Sequence, residues 1–169
     1  RSLCHILLPD CGKLQEEDAG FANKHRYSKH SPALPLYTED DARASLKYFE
    51  AVPWEKKITL SRHVTFSFQP VGHILGASMI RVNNSGKMIT FSGDLGRPKE
   101  CIMRRPSVIK ETDYLVVEST YGDRTHPAEG PIDSLKKLIN RTAKRGGLVL
   151  IPAFAVGRAQ EILYLISSL

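Results

Sequence analysis

The sequence predicts a mixed α/β protein, rich in hairpins to about Asp113 and alternating strand with helix after it. Three observations carry that expectation. Val64-Thr-Phe-Ser-Phe68 alternates apolar and polar residues, the period of a half-buried strand. Met79–Val82 and Met88–Phe91 are strand-like runs joined by Asn83-Asn84-Ser85-Gly86, residues that tolerate the left-handed backbone of a tight hairpin turn. Tyr114–Val117 and Leu148–Ile151 are short apolar runs, each followed by a helical pattern, the order of a parallel α/β unit.

Taken in order, the chain opens with Ile6-Leu7-Leu8, closed by Pro9-Asp10-Cys11-Gly12, which reads as a strand or buried segment ending in a turn. Gln15–His30 is polar, with Glu16, Glu17 and Asp18 ahead of a basic cluster. It has no clean period, so helix and loop both fit, as a solvated surface. Thr38, three residues before Asp41, forms a capping box and starts a helix with Ala42, Leu46 and Phe49 on one face, ending near Pro53. Tyr114–Val117 is flanked by charge and is expected to be covered on both faces.

Pro131 starts a helix with Ile132, Leu135, Leu138 and Ile139 on one side, and Gly146-Gly147 ends it. Leu148–Ile151 is expected as a further buried strand. Gly157-Arg158 opens a last helix with Ala159, Ile162, Leu163, Ile166 and Leu169 at helical spacing. That helix reaches the chain end without a capping residue, as a truncated sequence would. The patterning is interrupted near His126–Pro131, which places a domain boundary there and divides the chain into 1–125 and 126–169.

At 169 residues the chain is one ordinary domain or parts of two. No apolar run is long enough to span a bilayer, and Arg1–Leu8 lacks the h-region and cleavage site of a signal peptide. Cys4, Cys11 and Cys101 cannot all pair and show no CxxC spacing, so buried free thiols in a reducing, cytoplasmic compartment are expected. The net charge of +6 fits a polyanionic partner without requiring one.

The chemistry gathers around Val71–Gly96. His73 lies between Gly72 and Leu75-Gly76, where the backbone can bend and leave room for an approaching group. Asp94 lies in Ser-Gly-Asp at the end of the second hairpin run. Imidazole is the commonest protein ligand for zinc, and a carboxylate can bridge two metals. Read alone, such a pair is more often a turn histidine and an Asx-turn aspartate.

Glu118 follows a strand run in Glu118-Ser-Thr-Tyr-Gly122, where functional side chains commonly stand. It is a candidate to orient a ligand histidine or position substrate, or else a carboxylate satisfied by nearby amides. Gly157 and Arg158, at a helix N-terminus, are candidates to hold a phosphate, with an ordinary structural turn as the alternative. No GxxxxGK[ST] or GxGxxG is present, so nucleotide hydrolysis is unsupported. Arg97, Lys99, Arg104, Arg105 and Lys110 border the proposed site, whereas Lys136, Lys137, Arg141, Lys144 and Arg145 read as a solvated helix face. His126 is a minor candidate for the site region. No aromatic stacking platform accompanies either basic group.

Four motifs in order make the pattern specific: Gly-His73-Ile-Leu-Gly-Ala, Ser-Gly-Asp94-Leu-Gly, Val-Glu118-Ser-Thr-Tyr-Gly and Ile-Pro-Ala-Phe-Ala-Val-Gly-Arg-Ala-Gln-Glu161. Together, from about Leu8 to Leu169, they resemble the metallo-β-lactamase-fold nucleases of the β-CASP family, which includes RNase J and the endonuclease of pre-mRNA cleavage and polyadenylation. The resemblance implies the second half of a metallo-β-lactamase αββα sandwich running into the start of a Rossmann-like β-CASP domain. It implies that His73 is a ligand to one zinc and Asp94 the carboxylate bridging two zincs. Glu118 would be the acidic residue of the first β-CASP motif and, with Asp94, part of the catalytic set. Phosphodiester hydrolysis on RNA, single-stranded, is the implied activity, with no membrane partner.

The family's richest ligand motif, HxHxDH, occurs nowhere in this chain. The resemblance therefore implies an internal fragment that alone binds zinc poorly and catalyses little. Apolar surface left open where the other half-domain packs predicts association, a homodimer being one form. Three alternatives remain: a non-catalytic scaffold subunit of an RNA-processing complex, a DNA-processing member of the superfamily, and a small-molecule metallohydrolase. The last is disfavoured by the Glu118 and Phe154–Glu161 motifs, the first by the presence of both His73 and Asp94.

Overall fold

The computed structural model describes residues 1–98, 101–125 and 130–169. It is mixed α/β and divides into two compact units, Arg1–Pro53 and Trp54–Leu169. The expected boundary at 126, His126 itself and Lys99 of the basic cluster all fall outside the described residues.

The first unit pairs helix α1 (Cys4–His25) with the short helix α2 (Glu39–Ser45) and a 3-10 turn, Leu46–Tyr48. The opening strand read from Ile6-Leu7-Leu8 is thus corrected to helix, which continues through the supposed stop at Pro9–Gly12. Both residues lie inside the helix and are buried. Pro9 and Gly12 are two of the three buried positions on α1, and Gly12 lets the α2 N-terminus approach its backbone. Lys13–Lys24 is rich in unbranched and small helix formers, which carries the helix on without a continuous apolar stripe. Glu16 Oε2 accepts the Glu39 N–H at 3.1 Å, and Asn23 exchanges two hydrogen bonds with the Ala33 backbone. The capping box forms as expected: Thr38 Oγ1 accepts from Asp41 N–H at 3.1 Å, and Asp41 Oδ2 accepts from Thr38 N–H at 3.0 Å.

The second unit is built on a five-stranded sheet in sequence order: β1 (Ile58–Thr59), β2 (Val64–Pro70), β3 (Ser78–Asn84), β4 (Lys87–Phe91) and β5 (Tyr114–Val116). All neighbours are antiparallel except β4 and β5, which run parallel. The expected hairpin forms at its expected place, Asn84 facing Lys87 across Ser85-Gly86. Register puts Phe66, Val82 and Ile89 in one row and Phe68, Ile80 and Phe91 in the next, so one face is apolar. The Phe66 and Phe68 rings meet edge to face with centroids 5.4 Å apart. The other face carries Ser67, Arg81 and Thr90 side by side; Thr90 is buried and its hydroxyl donates to Thr112 Oγ1 at 3.0 Å.

Helix α3 (Pro131–Lys144) starts and stops where the sequence predicts, and α4 (Arg158–Ser167) starts where predicted but ends before Leu169, capped at Ser168. Other expectations are corrected. Of the Tyr114–Val117 run, Tyr114–Val116 forms strand β5, but all four residues are more than half exposed. Leu148–Ile151 joins no ladder, and Leu148 and Leu150 are exposed. Apolar runs become buried strands only where amides find ladder partners and faces find cover; Tyr114–Val116 finds a ladder partner in β4 but little cover, and Leu148–Ile151 finds no ladder partner among the described residues. The cysteines are free, but Cys11 and Cys101 are exposed rather than buried. No helix among the described residues is long and apolar enough to cross a membrane.

Asp113 fastens β5 to the hairpin. Its carboxylate accepts from Lys87 Nζ and from Met88 N–H, each at 2.8 Å, and its own N–H donates to Met88 O at 2.9 Å. The Lys87 hydrogen bond, then the Met88 amide, hold the Asp113 carboxyl below its ordinary value, and the same Asp113 bond raises Lys87. A carboxyl with a lower value in the folded state stabilises the fold above the ordinary carboxylate range and loses that contribution as pH falls through the lowered value. A raised lysine contributes below its ordinary range and loses its contribution as pH rises through the raised value. Acidification below about pH 4 is therefore expected to lower the protection of the β5 amides, measured as exchange relative to an unstructured amide at the same pH, and Asp113→Asn should weaken that pH dependence. Identical acid profiles for the two proteins would contradict the assignment.

Candidate functional site

The hairpin brings the two key residues together. In an antiparallel pair the chain just before one strand lies beside the chain just after the other. Ile80 faces Phe91, so the 71–77 loop leading into β3 meets the 92–96 loop leaving β4. His73 Nε2 stands 3.8 Å from Asp94 Oδ2, with side chains 46% and 75% exposed. The pair is open to solvent and convergent.

The two loops touch through their backbones. Gly96 N–H donates to Val71 O at 2.9 Å. A Cβ on Gly96 would overlap Gly72 O and C and come within 2.8 Å of His73 N. Gly72 adopts a left-handed backbone, and a side chain there would overlap Arg104 O. Glycine at both positions permits this crossing, which fixes the spacing between His73 and Asp94.

Glu118 arrives by the parallel pairing. Phe91 faces Val116, so counting on two or three residues from each strand end sets Glu118 beside Gly93 and Asp94. Glu118 Oε1 accepts the Leu95 N–H at 2.6 Å, and Glu118 N–H donates to Ser92 Oγ at 3.1 Å. Its carboxyl is held below its ordinary value, first by the Thr120 side chain, then by the Leu95 amide, with the nearby His73 adding to the effect.

A cleft of about 670 Å³ opens at His73, lined among others by Ile74, Arg97, Phe154, Gly157 and Arg158. Asp94 and Glu118 are not part of its wall. Gly157 abuts the His73 loop, its Cα facing Ile74. Its N–H already donates to Gln160 Oε1 at 2.8 Å, and Arg158 pairs with Glu161 at 2.6 Å. A phosphate at this helix start would compete with both interactions. Of the basic cluster, Arg97 lines the cleft and Arg104 lies over the Trp54 ring, 5.0 Å from its centroid. The α3 basic residues are exposed, as expected of a solvated face. Ser92, Leu95 and Gly96 stand in the Ser-Gly-Asp94-Leu-Gly motif, but the sequence assigns them no role; the register that joins β4 to β5 supplies one.

Two ligands of one tetrahedral zinc lie about 3.4 Å apart. His73 and Asp94 are within a few tenths of an ångström of that separation. Among the described residues no three His, Cys, Asp or Glu side chains form a metal-holding group. The pair fits as two members of a ligand set.

No family model matches the chain. Individual relatives do. It is 37% identical over 133 residues to Endoribonuclease YSH1 of Eremothecium gossypii, covering 78% of this chain and 17% of that protein. It is 32% identical to Ribonuclease TTHA0252 of Thermus thermophilus, over 78% of this chain and 31% of that one. It is 34% identical to an RNase J-like protein of Methanocaldococcus jannaschii, over 78% and 32%. The chain resembles part of the RNase J-like, β-CASP nucleases. It spans about a third or less of the length of these relatives.

Proposed function

We propose that the chain supplies one wall of the active site of a zinc-dependent, RNA-processing nuclease. The convergence of His73 Nε2 and Asp94 Oδ2 to 3.8 Å at the open end of the hairpin carries this reading. Three similar proteins that are named ribonucleases or RNase J-like support it. Residues 1–125 would belong to a metallo-β-lactamase domain and 126–169 to the start of a β-CASP domain, acting on single-stranded RNA in the cytoplasm. His73 and Asp94 would hold zinc, Asp94 bridging two ions. Zinc bound there supplies Lewis-acid polarisation of a phosphoryl oxygen and of the attacking water. Glu118 stands beside this pair as a carboxylate kept ionised by its hydrogen bonds. These 169 residues alone, with two ligands, would hold zinc weakly, and their open apolar sheet face favours self-association.

The test uses the whole reading frame that encodes this chain, assayed on single-stranded RNA and DNA. Chelation should abolish RNA cleavage and zinc should restore it. His73→Ala and Asp94→Asn should each reduce it by more than about a hundredfold, beyond the loss typical of a group that only orients a ligand. Cleavage that resists chelation, or an Asp94→Asn protein of full activity, would sink the reading. Cleavage of DNA alone would move it to the DNA-processing alternative. Tight stoichiometric zinc binding by the 169-residue chain would refute the incomplete ligand set.

A further inference from the structure

The geometry points to Glu118 and Ser92 as positioning residues that set where the Asp94 carboxylate stands, Glu118 by gripping the Leu95 amide and Ser92 by gripping the Glu118 amide. The inference deepens the zinc reading of Asp94 and rests on it.

Asp94 is 75% exposed, so packing around its side chain does little to fix it; its position follows from its backbone. That backbone is fastened on both sides. Before it, Ser92 N–H donates to Val116 O at 2.9 Å, continuing the β4–β5 ladder one step beyond the strands. After it, Leu95 N–H donates to Glu118 Oε1 at 2.6 Å and Gly96 N–H to Val71 O at 2.9 Å. The Leu95 bond is short, as expected where an amide meets an ionised carboxylate.

Glu118 is itself held, because its N–H donates to Ser92 Oγ at 3.1 Å. The Ser92 hydroxyl in turn donates to Gly93 O at 2.7 Å, and Ser92 is buried, 4% exposed. The result is a closed circuit of main chain and side chain, from Ser92 to Glu118 to Leu95, with Asp94 inside it. Glu118 thus acts through Leu95. A carboxylate is suited to the task because both its oxygens accept and none donates, so it cannot release the amide by rotating a proton into its place.

Amide hydrogen exchange on the metal-free 169-residue chain tests the circuit. Glu118→Ala should speed exchange of the Leu95 amide by about tenfold or more, while Val82 and Ile89 in the hairpin keep their protection. Glu118→Gln keeps an acceptor oxygen and should restore most of it. Ser92→Ala should speed exchange at the Glu118 and Leu95 amides together. In the whole zinc-binding protein, Glu118→Ala should weaken zinc affinity by about 10–100-fold. Unchanged Leu95 exchange in Glu118→Ala overturns the proposal. So does an equal rise across the hairpin, which would make Glu118 a plain stabiliser of the sheet, or an unchanged zinc affinity. A whole wild-type protein that takes up no zinc would instead fail the metal reading, with the exchange arms still deciding the circuit.

Discussion

Gly96→Ala is expected to cost the second unit about 3 kcal/mol or more and to break the pairing of His73 with Asp94. The added methyl would overlap the Gly72 carbonyl and lie 2.8 Å from His73 N, and every atom it meets is backbone. A flexible side chain could swing aside; a peptide unit cannot. The loops must therefore part, which lengthens or removes the Gly96 N–H bond to Val71 O. Trp54, the single tryptophan, reports on the event because it belongs to the same unit. Its indole N–H donates to Ser78 Oγ at 2.9 Å and its ring lies under Arg104, whose carbonyl crowds Gly72. Denaturant unfolding followed by Trp54 fluorescence should show a lower midpoint. A shift below about 0.5 kcal/mol, the range of ordinary surface changes, would show that the crossing is looser than described.

Gly12→Ala should strike the first unit with comparable force. A Cβ there would stand 2.6 Å from Thr38 O, 2.7 Å from Glu39 Cα and 2.8 Å from Glu39 N. Those atoms form the N-terminus of α2, so the clash pushes α2 away from α1 and strains the Glu16 bond to the Glu39 amide. The expected loss is about 2–3 kcal/mol, the upper part of the range for overpacking, because the obstruction is again main chain. Helical circular dichroism should report it, with 22 residues of α1 in this unit, while Trp54 fluorescence lies outside the affected unit. A Gly12→Ala protein with an unaltered helical transition would mean that the helices do not approach at this point.

The elements legible in the sequence were those whose causes are local. The capping box at Thr38, the turn at Ser85-Gly86 and the starts of α3 and α4 depend on residues within a few positions of one another, and each forms as expected. Helix α1 is not legible because Pro9 and Gly12 normally punctuate, whereas here both are buried within the helix and Gly12 serves a close approach to Thr38, 26 residues downstream. The exposed runs at Tyr114–Val117 and Leu148–Ile151 were misread because burial is decided by a covering partner, which composition does not reveal. The candidate site falls between these cases. His73 and Asp94 were singled out as residue types, but their approach required the β3–β4 register, and Glu118 required the parallel β4–β5 register as well. Ser92 stayed invisible because a serine after a strand carries no signal until its neighbour across the ladder is known.

Strand β5 has a consequence for how this polypeptide behaves at high concentration. It is the last strand in the sheet order, its three apolar residues and the Val117 that follows are each more than half exposed, and its outer main-chain groups have no strand beside them among the described residues. Such a border is a template on which another extended chain can grow, the first step towards cross-β aggregation. Asp113 and Glu118 bracket the run with negative charge and act as gatekeepers against that growth. The carboxylates that fasten β5 and grip the Asp94 loop thus also keep neighbouring molecules from stacking onto the sheet.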